Sequence, residues 1–353
     1  MIDYKVFLQP YEMHPSIKRE LEKLLSDHNH CPAKARRGSS ICSLLTQQRR
    51  AWNIAAALVD LHRLNFAIES LSNFREKHVV ALIKCWTSRG DEYGTIDNKL
   101  SYLRALLKWQ GRQNWISPLA DYWTTVEAEG PAVRKRIAQT DKSWTAAAID
   151  ILAMLAQIRL DDPVVAMQLE ICWSFGLRKT EAFLLRPLVA FDQAVGRLTV
   201  GVTHGTKGGR PREVSLTEVA QIDVLARACA YAKGNRGTMV PVNFTLSQWN
   251  NHFYWVVRNH GIRRERDETG GLGVTTHGLR HEYMATRFAA LTRKPSPLKG
   301  GSDYEPELLL AALTRIVEDA GHSALEKAGA YLGKLPSHTG PVSSFVCEAY
   351  YVD

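Results

Sequence analysis

The stretch RLTVGVTHGTKGGRPREVSL, residues 197–216, alternates apolar and polar positions on either side of a Lys-Gly-Gly turn. Alternation broken by glycines marks an antiparallel hairpin, because successive strand side chains face opposite ways and glycine accepts the backbone angles of the turn. The sequence around it is helical in pattern. Upstream, SWTAAAIDILAMLAQIRL (143–160) and DDPVVAMQLEICWSFGL (161–177) read as two helices, the second opened by aspartate caps with Pro163 in its first turn. Downstream, helices are expected at about 217–232, 247–260, 276–291, 305–319 and 323–332. This part of the chain is therefore expected to be mainly α with a small antiparallel β-sheet.

A chain of 353 residues with 45% hydrophobic content exceeds the needs of one average domain, so two are expected. Residues 1–44 include HNHCPAKARRGSS, which lacks apolar periodicity and reads as a mobile basic lead-in. Residues 45–128 are helical in pattern. Within them, TIDNKLSYLRALLKWQGR places Ile96, Leu100, Leu103 and Leu107 on one stripe, with Thr95 as N-cap and Gly111 as stop. On the same helix Arg104, Lys108 and Arg112 recur every four residues. With Lys99 they form either a ridge that follows a phosphate backbone or a solvated charged face. EAEGPAVRKRIAQTDKSW (127–144) shifts to charged, Gly/Pro-containing composition, which sets a linker at 129–144, a second domain at 145–335 and a tail at 336–353.

Lysine and arginine outnumber aspartate and glutamate 45 to 36, a formal charge of +9 that favours a polyanionic partner such as DNA or RNA. The six cysteines, at 31, 42, 85, 172, 229 and 347, form no CxxC pair and no short Cys/His pattern, so no metal site is expected. No secretory leader and no apolar run approaching ~20 residues is present, which points to a cytoplasmic protein with no membrane partner.

Metal-free phosphoryl transfer on DNA needs cations for the non-bridging oxygens, a nucleophile and an acid for the leaving oxygen. Four stretches supply candidates. In SFGLRKTEAFLLRP, Arg178 follows a glycine at a helix end and Glu181 opens the next helix. An arginine held by a carboxylate makes a rigid phosphate clamp, although alone such a pair is more often structural. In VTTHGLRHEYMATRF, Thr275 or Thr276 caps a helix whose first turns carry His277, Arg280 and His281, with the first two on one face. The same His-x-x-Arg spacing recurs at His260 and Arg263 in a loop-like setting, so the bare pattern proves little. Lys207 at the hairpin tip is either a leaving-group acid or an ordinary turn lysine. In AGHSALEKAGAYLG, Tyr331 follows His322 by nine residues, while Leu325 and Leu332 give the segment an ordinary apolar face.

Taken in order, GLRKTE, GTKGGRPREVSL, HGLRH, AGHSA and the tyrosine nine residues on resemble the tyrosine recombinase family of the phage integrase type. The resemblance spans about 178–331, and the helical segment 45–128 is similar to that family's core-binding domain. It implies a two-domain C-clamp of an all-helical core-binding domain and an α+β catalytic domain. It further implies that Arg178 and Arg280 clamp the scissile phosphate, Lys207 protonates the departing 5′ oxygen, His277 acts as acid/base, His322 bonds a non-bridging oxygen and Tyr331 attacks phosphorus. Glu181 and His281 would support Arg178 and the His277 region. The family's reaction uses no cofactor, metal or ATP. Its partner is double-stranded DNA at attachment or recombination sites. Four protomers act on two sites through a Holliday junction, in a bacterial cytoplasm, with possible DNA-bending accessory proteins.

One departure stands out: LTRKPSPLKGGSDYEPELLLAALTRI (291–316) makes the connection between Arg280 and His322 longer than is usual in the family, as an extra loop and helix would. The tail, 336–353, resembles tails that dock into a neighbouring protomer. Competing readings are a scaffold without catalysis, a metal-free phosphodiesterase and a type IB topoisomerase-like enzyme. Tyr350 and Tyr351, 28 and 29 residues past His322, read as tail anchors rather than nucleophiles.

Overall fold

The computed structural model describes residues 2–32, 41–126, 133–134, 136–192, 194–201, 206 and 211–335. The chain divides into two units, Met1–Lys135 and Arg136–Asp353. In the first, α2 (Pro15–His28), α3 (Leu44–Arg63), α4 (Glu76–Ser88) and α6 (Leu119–Trp123) pack on α5 (Tyr93–Trp109), and α1 (Tyr4–Leu8) packs on α2. The α5 stripe of Ile96, Leu100, Leu103 and Leu107 is buried, as its periodicity requires.

Two expectations for this unit are corrected. Residues 2–32 are no mobile lead-in: Ile17, Leu21 and Leu25 of α2 and Tyr4 and Leu8 of α1 are buried in the unit's core. Asn29 ties them to α3, donating to Tyr4 Oη at 2.8 Å and to the Gln47 carbonyl at 2.9 Å. The spacing 17, 21, 25 carries that helix; the basic run beyond it, residues 33–40, lies outside the described residues. Thr95 is not the cap of α5, which starts a turn earlier from Glu92.

In the second unit Asp162 accepts from the Val164 and Val165 amides at 3.0 and 2.9 Å, so the chain passes from α7 (Ile151–Asp161) straight into α8 (Pro163–Phe175). Every residue of α8 from Val165 to Cys172 is buried, which makes it the central helix, with α7 packed against it. Each buried valine, leucine, isoleucine or methionine among them contributes about 1.5–3 kcal/mol. After α9 (Lys179–Leu184) and α10 (Pro187–Ala190), β1 (Phe191–Asp192), β2 (Arg197–Val200) and β3 (Arg212–Ser215) form an antiparallel sheet in sequence order, with Leu198 opposite Val214 and Val200 opposite Arg212. The expected hairpin is thus present. Its tip, residues 202–205 and 207–210, lies outside the described residues.

The helices α11 (Val219–Gly234) and α12 (Leu246–Asn259) follow, then a short ladder of β4 (Arg266–Asp267) and β5 (Gly271–Leu272), and α13 (Gly278–Thr292) and α14 (Pro306–Asp319). The expected helix over 323–332 is instead a 3-10 turn at Leu325–Ala328 followed by α15 (Gly329–Leu332), both packed on α14 or α13. Tertiary packing overrides the simple period here. The end of the expected linker is also part of this unit, because Ser143 and Trp144 are buried in it. Among the described residues no helix is long and apolar enough to cross a membrane.

Candidate active site

Four chain segments meet at the end of α8. The first is the α8–α9 corner, where Gly176 takes a left-handed conformation (φ 60°) and Arg178 becomes the N-cap of α9. The Arg178 amide donates to Glu181 Oε2 and its guanidinium to Glu181 Oε1, each at 2.8 Å. Glu181 also accepts two bonds from Arg212, at 3.0 and 2.6 Å, and is fully buried. Burial alone would push its carboxyl up, but the bonds and charge of Arg212, joined by Arg178, hold it down at about 2. Glu181 is therefore an anion that fixes two cations.

Arg212 is a component that the sequence reading passed over. It was legible in principle: strand alternation puts it on the inward face of β3 with Val214.

The second segment is the start of α13. Neither Thr275 nor Thr276 caps it; His277 holds the N-cap position without a side-chain cap bond. The Thr275 carbonyl accepts instead from Trp144 Nε1 at 2.9 Å. Gly278 lets the helix press against that tryptophan, since a Cβ there would stand 2.6 Å from the Lys142 carbonyl and 2.7 Å from the Trp144 ring. One turn on, Arg280 is fully buried. It donates through Nε to Tyr331 Oη at 3.0 Å, through one terminal nitrogen to the Gly176 carbonyl and through the other to the Ala320 carbonyl at 2.7 Å. Among the described residues no carboxylate lies within ion-pair distance of it.

The third segment is the end of α14, whose Ala320 carbonyl also accepts from Arg178 at 3.3 Å. His322 follows, with Nε2 3.3 Å from Tyr331 Oη. The fourth is α15, which delivers Tyr331, 6% exposed, into this cluster. The His281 ring packs on the Tyr331 ring, centroids 5.2 Å apart, and on the His277 ring at the same distance.

Both imidazoles are kept neutral at neutral pH. Burial, then Lys142 and Arg280 against the opposing pull of Asp141, push His281 down to about 4. Surrounding protein, then His281, Arg280, Arg178 and Lys142, push His277 down to about 3. The His277 side chain is exposed to solvent.

Of the residues singled out in the sequence, Arg178, Glu181, His277, Arg280, His281, His322 and Tyr331 come together, while Lys207 lies outside the described residues. Glu181 pairs with Arg178 and Arg212 but not with Arg280, so the three guanidinium groups leave excess positive charge around a buried phenol. That favours an anion such as a phosphodiester. Among the described residues no group of three or more histidines, cysteines and carboxylates is placed to hold a metal ion.

In the first unit the basic candidates divide. Lys99 pairs with Asp91 and lies 4.8 Å from the Trp86 ring, Arg104 donates to the Ile116 and Ser117 carbonyls at 3.2 and 2.6 Å, and Arg112 donates to the Phe74 carbonyl at 2.9 Å while stacking on Trp115. Lys108 is exposed.

Two family models match the chain in order: "Phage integrase, N-terminal" over residues 32–116 and "Integrase" over residues 135–286. No curated protein sequence matches it. Among solved structures, the fold is similar to XerH site-specific recombinase bound to palindromic difH substrate in a post-cleavage complex, with a TM-score of 0.53 and 15% identity over 93% of this chain and 89% of that one. At that identity the likeness speaks for the fold alone. With both family models matched in sequence, the chain belongs to the tyrosine recombinase family of integrases.

Proposed function

We propose that this site-specific recombinase breaks and rejoins double-stranded DNA through a 3′-phosphotyrosyl bond to Tyr331. The observation that carries the reading is the placement of Tyr331 Oη, 3.0 Å from Arg280 Nε and 3.3 Å from His322 Nε2 of the same chain. A hydroxyl already beside the groups that would hold the phosphate is close to an attacking geometry.

Tyr331 Oη attacks phosphorus and the bond from phosphorus to the 5′ oxygen breaks. Lys207 gives the departing oxygen its proton, and His277, neutral at neutral pH, takes the phenolic one. A phosphate anion entering the site would raise His277 toward the ordinary histidine range and strengthen it as a base. Arg178, Arg280 and His322 bond the non-bridging oxygens, while Glu181 and His281 hold Arg178 and the His277 ring in place. The freed 5′-hydroxyl then attacks the partner strand's phosphotyrosine. The covalent bond conserves the energy of the phosphodiester, so ATP is not required.

We further place the reaction on paired sites of a mobile element in a bacterial cytoplasm, with four protomers per synapse, the 336–353 tail joining neighbours and DNA-bending accessory proteins assisting. Lys99, Arg104, Lys108 and Arg112 are assigned to the DNA-facing side of the first unit, with Lys108 best placed for it by exposure. The test is to trap the adduct on a nicked duplex, digest the protein and identify the peptide that carries DNA. A peptide containing Tyr331 is expected; one containing Tyr350 or Tyr351 would contradict the assignment.

A further inference from the structure

The long connection between α13 and α14 contains a 3-10 turn, Pro297–Lys299, with no part in the chemistry above. The loop is braced from within. Tyr304 Oη donates to the Pro295 carbonyl at 2.7 Å, and Lys294 Nζ donates to the Asp303 carbonyl at 2.6 Å. The Tyr304 ring packs edge-on against Phe288, centroids 5.3 Å apart.

From this base two adjacent side chains reach opposite flanks of the site. Leu298 packs on Gly333, the C-cap of α15, so closely that a Cβ there would stand 2.7 Å from Leu298 Cγ. Gly333 lies two residues beyond Tyr331. Lys299 Nζ donates to Thr145 Oγ1 at 3.1 Å and pairs with Glu282 at 3.4 Å and Asp141 at 3.8 Å. Glu282 belongs to α13 and accepts from the Thr145 amide and hydroxyl at 3.1 and 2.8 Å. The 141–145 segment is also the one whose Trp144 presses on Gly278, next to His277.

We propose that Pro297–Lys299 is a positioning strut that fixes the tyrosine-bearing α15 against the His277–Arg280 end of α13. The inference rests on the reading of Tyr331 as nucleophile. A four-residue helix cannot hold its own orientation, because one turn supplies too few hydrogen bonds to offset its nucleation cost. The bonds of Tyr331 Oη to Arg280 and His322 cannot serve either, since they must rearrange when that oxygen attacks phosphorus. The backbone on the far side of the tyrosine needs a separate anchor, and Leu298 supplies it. Lys299 ties the same turn to α13, and its ion pairs, with the lysine side chain 31% exposed, add little to overall stability.

The experiment uses full-length protein and a nicked duplex of the DNA flanking its own gene. It measures single-turnover adduct formation at saturating protein, DNA affinity and melting temperature. Leu298→Ala and Lys299→Ala should slow adduct formation by about ten- to a hundredfold with affinity and melting temperature little changed, as expected when a reacting group is displaced by about 1 Å. Lys299→Arg should recover most of the rate. Wild-type rates in Leu298→Ala and Lys299→Ala, with the adduct lost in Tyr331→Phe, overturn the strut alone. An adduct that survives Tyr331→Phe overturns the reading beneath it, and the strut with it. Should Leu298→Ala fail to fold, the Lys299 variants decide: a rate equal to wild type in Lys299→Ala, or a slow Lys299→Ala that Lys299→Arg does not rescue, overturns the proposal.

Discussion

Arg178 and Arg280 converge on one atom: each donates to the carbonyl oxygen of Ala320, at 3.3 and 2.7 Å. The two guanidinium groups come from different helix starts, 102 residues apart in sequence, and a shared acceptor fixes the spacing between two like charges that would otherwise separate. Only Arg178 is also held by a carboxylate, so the Arg280 charge is balanced by carbonyls and a phenol alone.

A planar fork is essential to that arrangement. Arg280→Lys keeps the charge, yet one ammonium cannot reach Gly176, Ala320 and Tyr331 together. Adduct formation should fall by about a hundredfold or more, the usual consequence of losing a preorganised donor. DNA affinity should change little. Equal losses in binding and cleavage would show that Arg280 acts only as a general cation.

Glu181 is the buried counter-charge of Arg178 and Arg212. Glu181→Gln keeps the shape but strands two guanidinium groups, and should destabilise the second unit by about 3 kcal/mol, read by urea denaturation. A change below about 0.5 kcal/mol would mean that the arginines find other partners.

The depressed His281 gives stability a definite pH dependence. Its folded value, about 4, lies below the ordinary 6.5. The unfolded chain therefore binds the proton first as pH falls, so stability is full above about 6.5 and declines from there toward 4. One such group accounts for at most about 1.4 kcal/mol per pH unit in that window. His281→Asn should flatten the profile between pH 6 and 4.5 by about that slope. An unchanged profile would place the acid sensitivity elsewhere. Glu181 contributes separately and lower, between 4.5 and about 2.

The first unit offers a test of exposed against engaged cations. Arg104→Ala should cost about 1–2 kcal/mol of stability, because the Ile116 and Ser117 carbonyls lose charged donors. Lys108→Ala should leave stability unchanged and reduce the salt dependence of DNA binding by about one phosphate contact. The reverse pattern would assign DNA contact to Arg104 instead.

Local signals made much of this legible from sequence. Asp162 and Pro163 announce α8, the alternation at 197–216 announces the sheet, and the spacing from His277 to Arg280 falls on one helix face. What escaped depends on tertiary contact. Arg212 acquires its role only when β3 lies against α9, and Trp144 only when it meets Gly278. The 3-10 turn before Tyr331 follows from packing on α14, which no residue of that segment encodes alone. The α2 stripe was overlooked for a different reason: a basic run beside it dominated the local composition.

The most direct measurement compares wild-type protein with Tyr331→Phe on a nicked duplex of the DNA flanking the gene, scoring both binding and a protease-sensitive covalent adduct. The account predicts equal binding by the two proteins and an adduct with the wild type alone. An adduct formed by Tyr331→Phe at the wild-type level would contradict it.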